Sequence, residues 1–306
     1  METDAANQAR GDGGVVPPVP GRGWVDRLGY AWLAMPVEAY RLVIRLLGLA
    51  LMYLCVLWWP YVPVILTARS YAPERTSGVI SLFEWASHGP MLSYLWLGLG
   101  LVSGALLVWG RWVKPALLYS LLLASSLFVT GFPHTGSYLP ILCLLLVWLL
   151  LIPSRPRSDG YLCGLPVFGL IFQLGLIYFT GALHKLYDVW WITGDAIRID
   201  LLVLTWTSPL GLFFVQNTPP GVMRAMTYGA LVLELLALPA MLCPWKTTFF
   251  RRVTFAGLFA LHLGSAFLMS LGAFPFVMIA YIACLLDRDL LRRLKEKSTI
   301  ARYVLD

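Results

Sequence analysis

The sequence predicts an all-α protein, a polytopic membrane helix bundle of about eight transmembrane helices with interfacial or re-entrant helices after the fifth. Three observations predict it. Hydrophobic residues make up 59% of the 306 residues and charged residues only 13%, with a mean hydropathy of +0.74. A soluble domain carries about 25% charged residues and cannot hide this much apolar surface in one core. Apolar runs also recur that are long enough, at about 1.5 Å per residue, to cross a hydrocarbon layer about 30 Å thick. Finally, Lys and Arg fall in alternate loops, the pattern by which basic residues fix topology against an anionic inner leaflet.

In chain order, residues 1–39 read as a disordered to interfacial cytoplasmic segment. They hold no apolar core of a cleavable signal, and positions 11–23 are rich in Gly and Pro, so the first span is expected to act as an uncleaved anchor. Residues 40–289 form the transmembrane domain, and 290–306 a basic cytoplasmic tail. Spans are expected at about 42–66, 91–109, 115–129, 138–152, 164–186, 222–243, 253–270 and 274–286. The stretch 187–221 mixes Trp, Asp, Arg and apolar residues and ends in two prolines. It is too polar to span and too apolar for an ordinary loop, which predicts interfacial or re-entrant helices over a cavity.

Basic residues recur at Arg111 and Lys114, at Arg155 and Arg157, at Lys246, Arg251 and Arg252, and densely over 288–297. Of the intervening loops, one holds Arg69 and Arg75, while those after the third and seventh spans hold none. The positive-inside rule therefore predicts a multi-pass protein of the inner (cytoplasmic) membrane with both termini in the cytoplasm and 187–221 outside. It also accounts for the net charge of +7 without a nucleic-acid partner. The five cysteines are scattered with no CxxC pair, and neither a phosphate-binding Gly-rich loop nor metal-spaced His/Cys/Asp residues occur, so no metal or nucleotide is expected.

Ionisable groups within a membrane are expensive and mark function by default. Glu234 and His262 fall in mid-span, and Lys185 at the outer end of the fifth span. Tyr178, Gly181, Ala182 and Lys185 follow i, i+3, i+4, i+7 spacing and share one helix face. Each polar group also has a plainer role open to it, Glu234 as a neutral or paired carboxyl and His262 as an interhelical hydrogen bond.

The run Tyr178-Phe-Thr-Gly-Ala-Leu-His184-Lys185-Leu186, then Trp190-Trp191-Ile-Thr-Gly194-Asp195-Ala196, resembles the signature of the HTTM family. That family comprises the transmembrane domain of vitamin K-dependent γ-carboxylase and its bacterial relatives. His262-Leu-Gly264 followed by Gly272-Ala-Phe274-Pro275-Phe-Val-Met278 resembles a second family block. Glu234 with Pro239, and His134 with Ser137-Tyr138-Leu139, are weaker matches.

The resemblance covers roughly 40–289 and implies a reduced quinone of the vitamin K or menaquinol type as cofactor. It also implies Lys185 as the base in an outward-facing site; by their type and depth, His262 and Glu234 are expected to stabilise the developing quinol anion or shuttle the proton. Tyr178, His184, Trp190, Trp191, Asp195, Arg198, His134 and Gln173 are the implied quinone- or substrate-binding residues. Membrane lipid, lipid-borne quinone, a secreted peptide and a partner subunit are the implied partners.

Two departures bear on this. The family's tandem Lys-Lys reads His184-Lys185 here, and the large β-rich domain that holds the carboxylase's peptide substrate has no counterpart. The expectation is therefore a short form resembling the membrane protein that assists maturation of the sporulation-delaying toxin, rather than a carboxylase of protein glutamate. The alternative is a non-catalytic membrane factor that anchors, folds or exports a secreted partner, with Lys185 ion-paired to Asp188, Asp195 or Glu234. A transporter is disfavoured, because neither an inverted repeat nor a matched pair of Gly/Pro-broken spans occurs.

Overall fold

A computed structural model describes residues 32–63, 90–129, 138–186 and 189–297. The described chain is almost entirely helical. A short strand β1 (Ala34–Pro36) leads into α1 (Val37–Trp58), followed by α2 (Pro90–Trp109), α3 (Val113–Val129) and α4 (Tyr138–Leu151). A second strand β2 (Tyr161–Cys163) precedes α5 (Leu165–Lys185). Three short helices come next: α6 (Val189–Ile192), α7 (Ala196–Asp200) and α8 (Pro209–Asn217). The chain continues through α9 (Pro220–Leu242), α10 (Thr247–Leu268), α11 (Phe274–Ile282) and α12 (Arg288–Lys297).

Each of the eight predicted stretches is helical over most of its described residues, but the count of about eight spans is not met on length and composition. Among the described residues, four helical stretches are long and apolar enough to cross a membrane: Val37–Tyr61, Met91–Trp109, Leu165–Lys185 and Pro220–Leu242. The others fall short for two reasons. At 1.5 Å per residue the 14-residue α4 is roughly 21 Å long, against a layer of about 30 Å. The 22-residue α10 has length, but its first two turns carry Arg251 and Arg252. The chain is a multi-pass membrane protein, and its exposed leucines, valines and phenylalanines on α1, α2, α5 and α9 are the lipid-facing surface expected of one.

Helix α1 begins at Val37, five residues before the predicted span. Pro36 adopts an extended φ of −57° and ψ of 139°, which lets the helix start at once, and Glu38 lies in the first turn where the helix dipole favours a negative charge. β1 pairs antiparallel with β2, Ala34 opposite Cys163 and Pro36 opposite Tyr161. The part of the predicted disordered N-terminal segment that is described, residues 32–39, is therefore docked. The predicted basic tail is helical through Lys297, with Leu291 buried.

Small residues set the closest crossings. Gly48 of α1 faces Gly104 of α2 so tightly that a Cβ on Gly48 would lie 2.5 Å from the Gly104 carbonyl oxygen. Gly175 of α5 similarly receives Leu238 of α9, where a Cβ would meet the Leu238 Cα at 3.0 Å. This is close approach through small residues, the usual way membrane helices pack without a hydrophobic drive between them. Lys114, near the start of α3, donates to the carbonyls of Leu149, Leu150 and Ile152 at 2.9, 2.7 and 2.6 Å. It thus satisfies the orphan acceptors at the end of α4.

The two ends of the bundle differ. At one end Arg252 pairs with Asp287 at 2.5 and 2.6 Å, and Arg288 donates to the Asp159 carbonyl at 2.9 Å and lies 3.6 Å from Glu38. At the other, α6, α7 and α8 form a cap. The bridge between Thr207 and Met269, with Ser270 N–H donating to the Trp206 carbonyl at 2.6 Å, ties that cap to the end of α10.

Candidate functional site

The site lies where α5 and α9 pack together beneath the cap. On α9 the buried residues Met223, Thr227, Ala230, Leu231, Glu234, Ala237 and Met241 recur every three or four positions, one stripe of the helix. On α5 the facing stripe includes Leu174, Tyr178 and Ala182, all buried. Lys185 continues that face at the helix end. Its Nζ donates to both oxygens of Glu234, at 2.7 and 2.6 Å. The two partners differ in access. The Lys185 side chain is 27% exposed and that of Glu234 only 9%, so the carboxylate is walled in while the lysine keeps access to the surface. Trp190 of α6 covers the amine, its ring centroid 4.3 Å from Nζ.

Two turns deeper along α5, about 10 Å by helix rise, Tyr178 Oη meets His262 Nε2 of α10 at 2.6 Å. Both side chains are buried, and Phe274 of α11 closes the other side of the imidazole edge-on at a centroid distance of 5.5 Å. His262 Nδ1 is buried with no hydrogen-bond partner among the described residues. A phenol and a neutral imidazole together carry two polar hydrogens, and their mutual bond uses one. The second therefore sits on Tyr178 Oη or His262 Nδ1, available to an oxygen atom brought by a ligand.

The rim is held by a separate set of bonds. Asp195 receives Arg224 Nε and Nη2 at 3.0 and 3.3 Å, and this hydrogen bond holds its carboxyl below the usual carboxylate range. Gly194, at a φ of +71°, lies against the Tyr228 ring, where a Cβ would meet Cε2 at 2.7 Å. Only glycine suits both the left-handed backbone and this approach. Tyr228 Oη donates to the Trp191 carbonyl at 3.2 Å, and Thr227 Oγ1 accepts from Ile197 N–H at 3.3 Å. These bonds fix the cap to α9.

Of the residues predicted from sequence, Lys185, Glu234 and Trp190 form one cluster and Tyr178 and His262 a second, deeper pair, with Trp191 and Asp195 near the first. Arg198 is exposed on α7, where its charge also acts on Asp195. The structure does not bring His184 or Gln173 to Lys185. His184 is exposed, one residue and hence about 100° around the helix from it. Gln173 faces α4 and accepts a hydrogen bond from the Trp148 indole. His134 and Asp188 lie outside the described residues. Arg224, Thr227 and Tyr228 are not singled out by the sequence, although Thr227 is seven positions before Glu234 and so marks the same face.

The family model of the HTTM domain matches residues 162–289. No curated protein and no solved structure matches the chain. The matched stretch runs from β2 to the start of α12 and contains Tyr178, Lys185, Glu234 and His262.

Proposed function

We propose that this membrane protein, whose residues 162–289 match the HTTM domain model, performs quinol-linked acid–base chemistry in the maturation of a secreted peptide, with Lys185 as the base. The observation that carries the reading is the Lys185–Glu234 pair, because it joins a reachable amine to a buried carboxylate within 2.7 Å. Glu234 accepts a proton from Lys185 across that contact, and the neutral amine then takes the proton of a hydroxyl presented at its exposed side. The residues fit a reduced quinone: Trp190 offers a flat face beside the amine, and the spare hydrogen of the Tyr178–His262 pair answers a second ring oxygen. A reduced quinone held there supplies the electrons for reaction with dioxygen. The protein contributes the base, the flat wall and the buried donor. The charge pattern of the loops supports an outward orientation of the site.

One observation favours a non-catalytic membrane factor instead. Lys185 is bonded to one of the partners that such a factor requires, and the pair then serves only to lock α5 to α9. Lys185→Arg separates the two readings, since arginine preserves the ion pair but does not give up its proton. The measurement is oxygen-dependent oxidation of a menaquinol analogue by the purified protein in nanodiscs. The enzymatic reading expects turnover in the wild type, and loss of turnover in both Lys185→Ala and Lys185→Arg with the fold retained in the latter. Normal turnover by Lys185→Arg removes the base assignment, and absence of turnover in the wild type leaves the structural reading.

A further inference from the structure

The end of the bundle away from the cap carries a cavity that shares no residue with the α5–α9 site. It holds about 300 Å³ and lies where the start of α1, the end of α2, the start of α3 and the loop before β2 converge. Arg41 and Arg45 of α1 both line it. They are one turn apart, so they leave the same helix face with about 6 Å between their Cβ atoms. Helical side chains lean towards the N-terminus of their own helix, which carries both guanidinium groups towards the start of α1. Arg45 lies eight residues into a membrane-length helix, about 12 Å by rise, where a charge is expensive unless a polar cavity receives it. This cavity receives it.

The rest of the lining decides what fits. Ser154 brings a hydroxyl, and Val37, Ile44 and Val113 make an apolar wall beside the arginines. No Asp or Glu is among the described residues that line the cavity. Glu38, three positions before Arg41, lies 3.6 Å from Arg288 of α12, and the Lys114 ammonium is engaged by the carbonyls that end α4. Gly110, at a φ of +69°, has nothing within 4 Å of where a Cβ would stand, so the mouth beside it is open. Trp109 is exposed on the rim at the end of its span, the level at which indoles meet lipid headgroups. Two like charges at i, i+4 repel one another along a helix. An anion seated between them turns that repulsion into charge-assisted hydrogen bonds, and the guanidinium fork matches the oxygens of a phosphate.

We propose that this pocket binds one phosphate ester, its phosphate held by Arg41 and Arg45 and its carbon skeleton laid against the apolar wall. The volume stands at the lower end for ligand pockets and suits a phosphate with a glycerol-sized group. Basic loops are drawn to an anionic leaflet wherever they lie. A walled pocket differs in holding a single equivalent and in depending on two particular residues. The same chemistry arrives on an anionic phospholipid or on a soluble phosphate ester, and the test separates these sources. None of this depends on the role given to Lys185.

The test uses the full chain in a neutral detergent and three probes: dioleoylphosphatidylglycerol, dioleoylglycerol, which lacks the phosphate, and glycerol phosphate, which lacks the acyl chains. Native mass spectrometry counts bound equivalents and, by titration, gives their affinities. The wild type is expected to hold one equivalent of phosphatidylglycerol about tenfold more tightly than dioleoylglycerol, the worth of one charge-assisted hydrogen bond. Arg41→Gln combined with Arg45→Gln is expected to erase that preference. Arg292→Gln combined with Arg293→Gln removes the same charge from exposed positions of α12 and is expected to leave it unchanged. Ser154→Trp closes the mouth from an exposed loop position without altering charge. It is expected to weaken phosphatidylglycerol binding about tenfold, and it stands in if the double arginine variant fails to fold. Displacement of the lipid by millimolar glycerol phosphate supports the site with a soluble ester as its source, and resistance to displacement supports it with a phospholipid. Equal binding of phosphatidylglycerol and dioleoylglycerol overturns the proposal. So does a preference that survives loss of both Arg41 and Arg45, or one that disappears in the α12 variant.

Discussion

Lys185 and Glu234, 49 positions apart in the chain, meet across the α5–α9 interface with both carboxylate oxygens within 2.7 Å of the ammonium. Removing one partner from a fully buried pair costs about 3–5 kcal/mol, because the other is left uncompensated. Lys185 keeps some access to the surface, which lowers the expected loss for Glu234→Leu to about 1–3 kcal/mol. Lys185→Met combined with Glu234→Leu should recover at least half of that. Unfolding of the two single variants and the double variant in nanodiscs checks it, and additive losses would show that the two groups do not stabilise each other.

The Tyr178–His262 contact should behave as a unit. If its spare hydrogen serves the reaction proposed for Lys185, Tyr178→Phe and His262→Phe should each lower kcat for quinol oxidation at least tenfold. The double variant should fall little further, since residues acting together are grossly non-additive. Steady-state kinetics of the three proteins decides this, and multiplied losses in the double variant would separate the two roles.

Lys114 gives a prediction that is independent of function. Its three bonds to the carbonyls that end α4 are charge-assisted, and hydrogen bonds to charged groups are worth about 1.5–3 kcal/mol. Lys114→Met keeps an unbranched apolar stem and loses all three. It should lower Tm by several degrees in a thermal scan, while a Tm equal to that of wild type would mean that other groups cap the helix.

Asp195 gives a prediction in pH. Arg224 holds its carboxyl below the ordinary range in the folded protein, so the folded state binds that proton less readily than the unfolded chain. The contribution to stability is complete above the ordinary aspartate value of about 3.9 and is lost as pH falls through the lower folded value. The Tm difference between wild type and Asp195→Asn should therefore be constant from neutral pH to about pH 5. Below about pH 4 it should close. A difference that changes between pH 8 and pH 6 would point to another titrating group.

Polar groups inside apolar runs stand out, and for that reason Lys185, Glu234, His262 and Tyr178 are legible in the sequence alone. The span at 91–109 is placed to the residue because hydropathy changes sharply at both ends. Other features leave no local signal. The pairing of Ala34–Pro36 with Tyr161–Cys163 joins three-residue strands more than a hundred positions apart, too short for an alternating pattern to show. The choice of Glu234 over Asp195 as the partner of Lys185 is open in the sequence and is made by packing, since Arg224 already holds Asp195. The placing of Gln173 is a different matter. Counting 100° per residue from Lys185 puts it on another face, and grouping the two by membrane depth overlooks that angle.

The small β1–β2 ladder bears on how the molecule can be divided. The HTTM match begins at residue 162, inside β2, whose backbone partners belong to the stretch just ahead of α1. Gly164 N–H donates to the Leu33 carbonyl, and Val37 N–H to the Gly160 carbonyl, so the seam continues past the strands on both sides. Excising 162–289 as a module would leave that edge with donors and acceptors unanswered and open to pairing with other chains. The strand ahead of α1 thus covers the edge of β2, and a fragment intended to keep this seam has to begin before Leu33 rather than at residue 162.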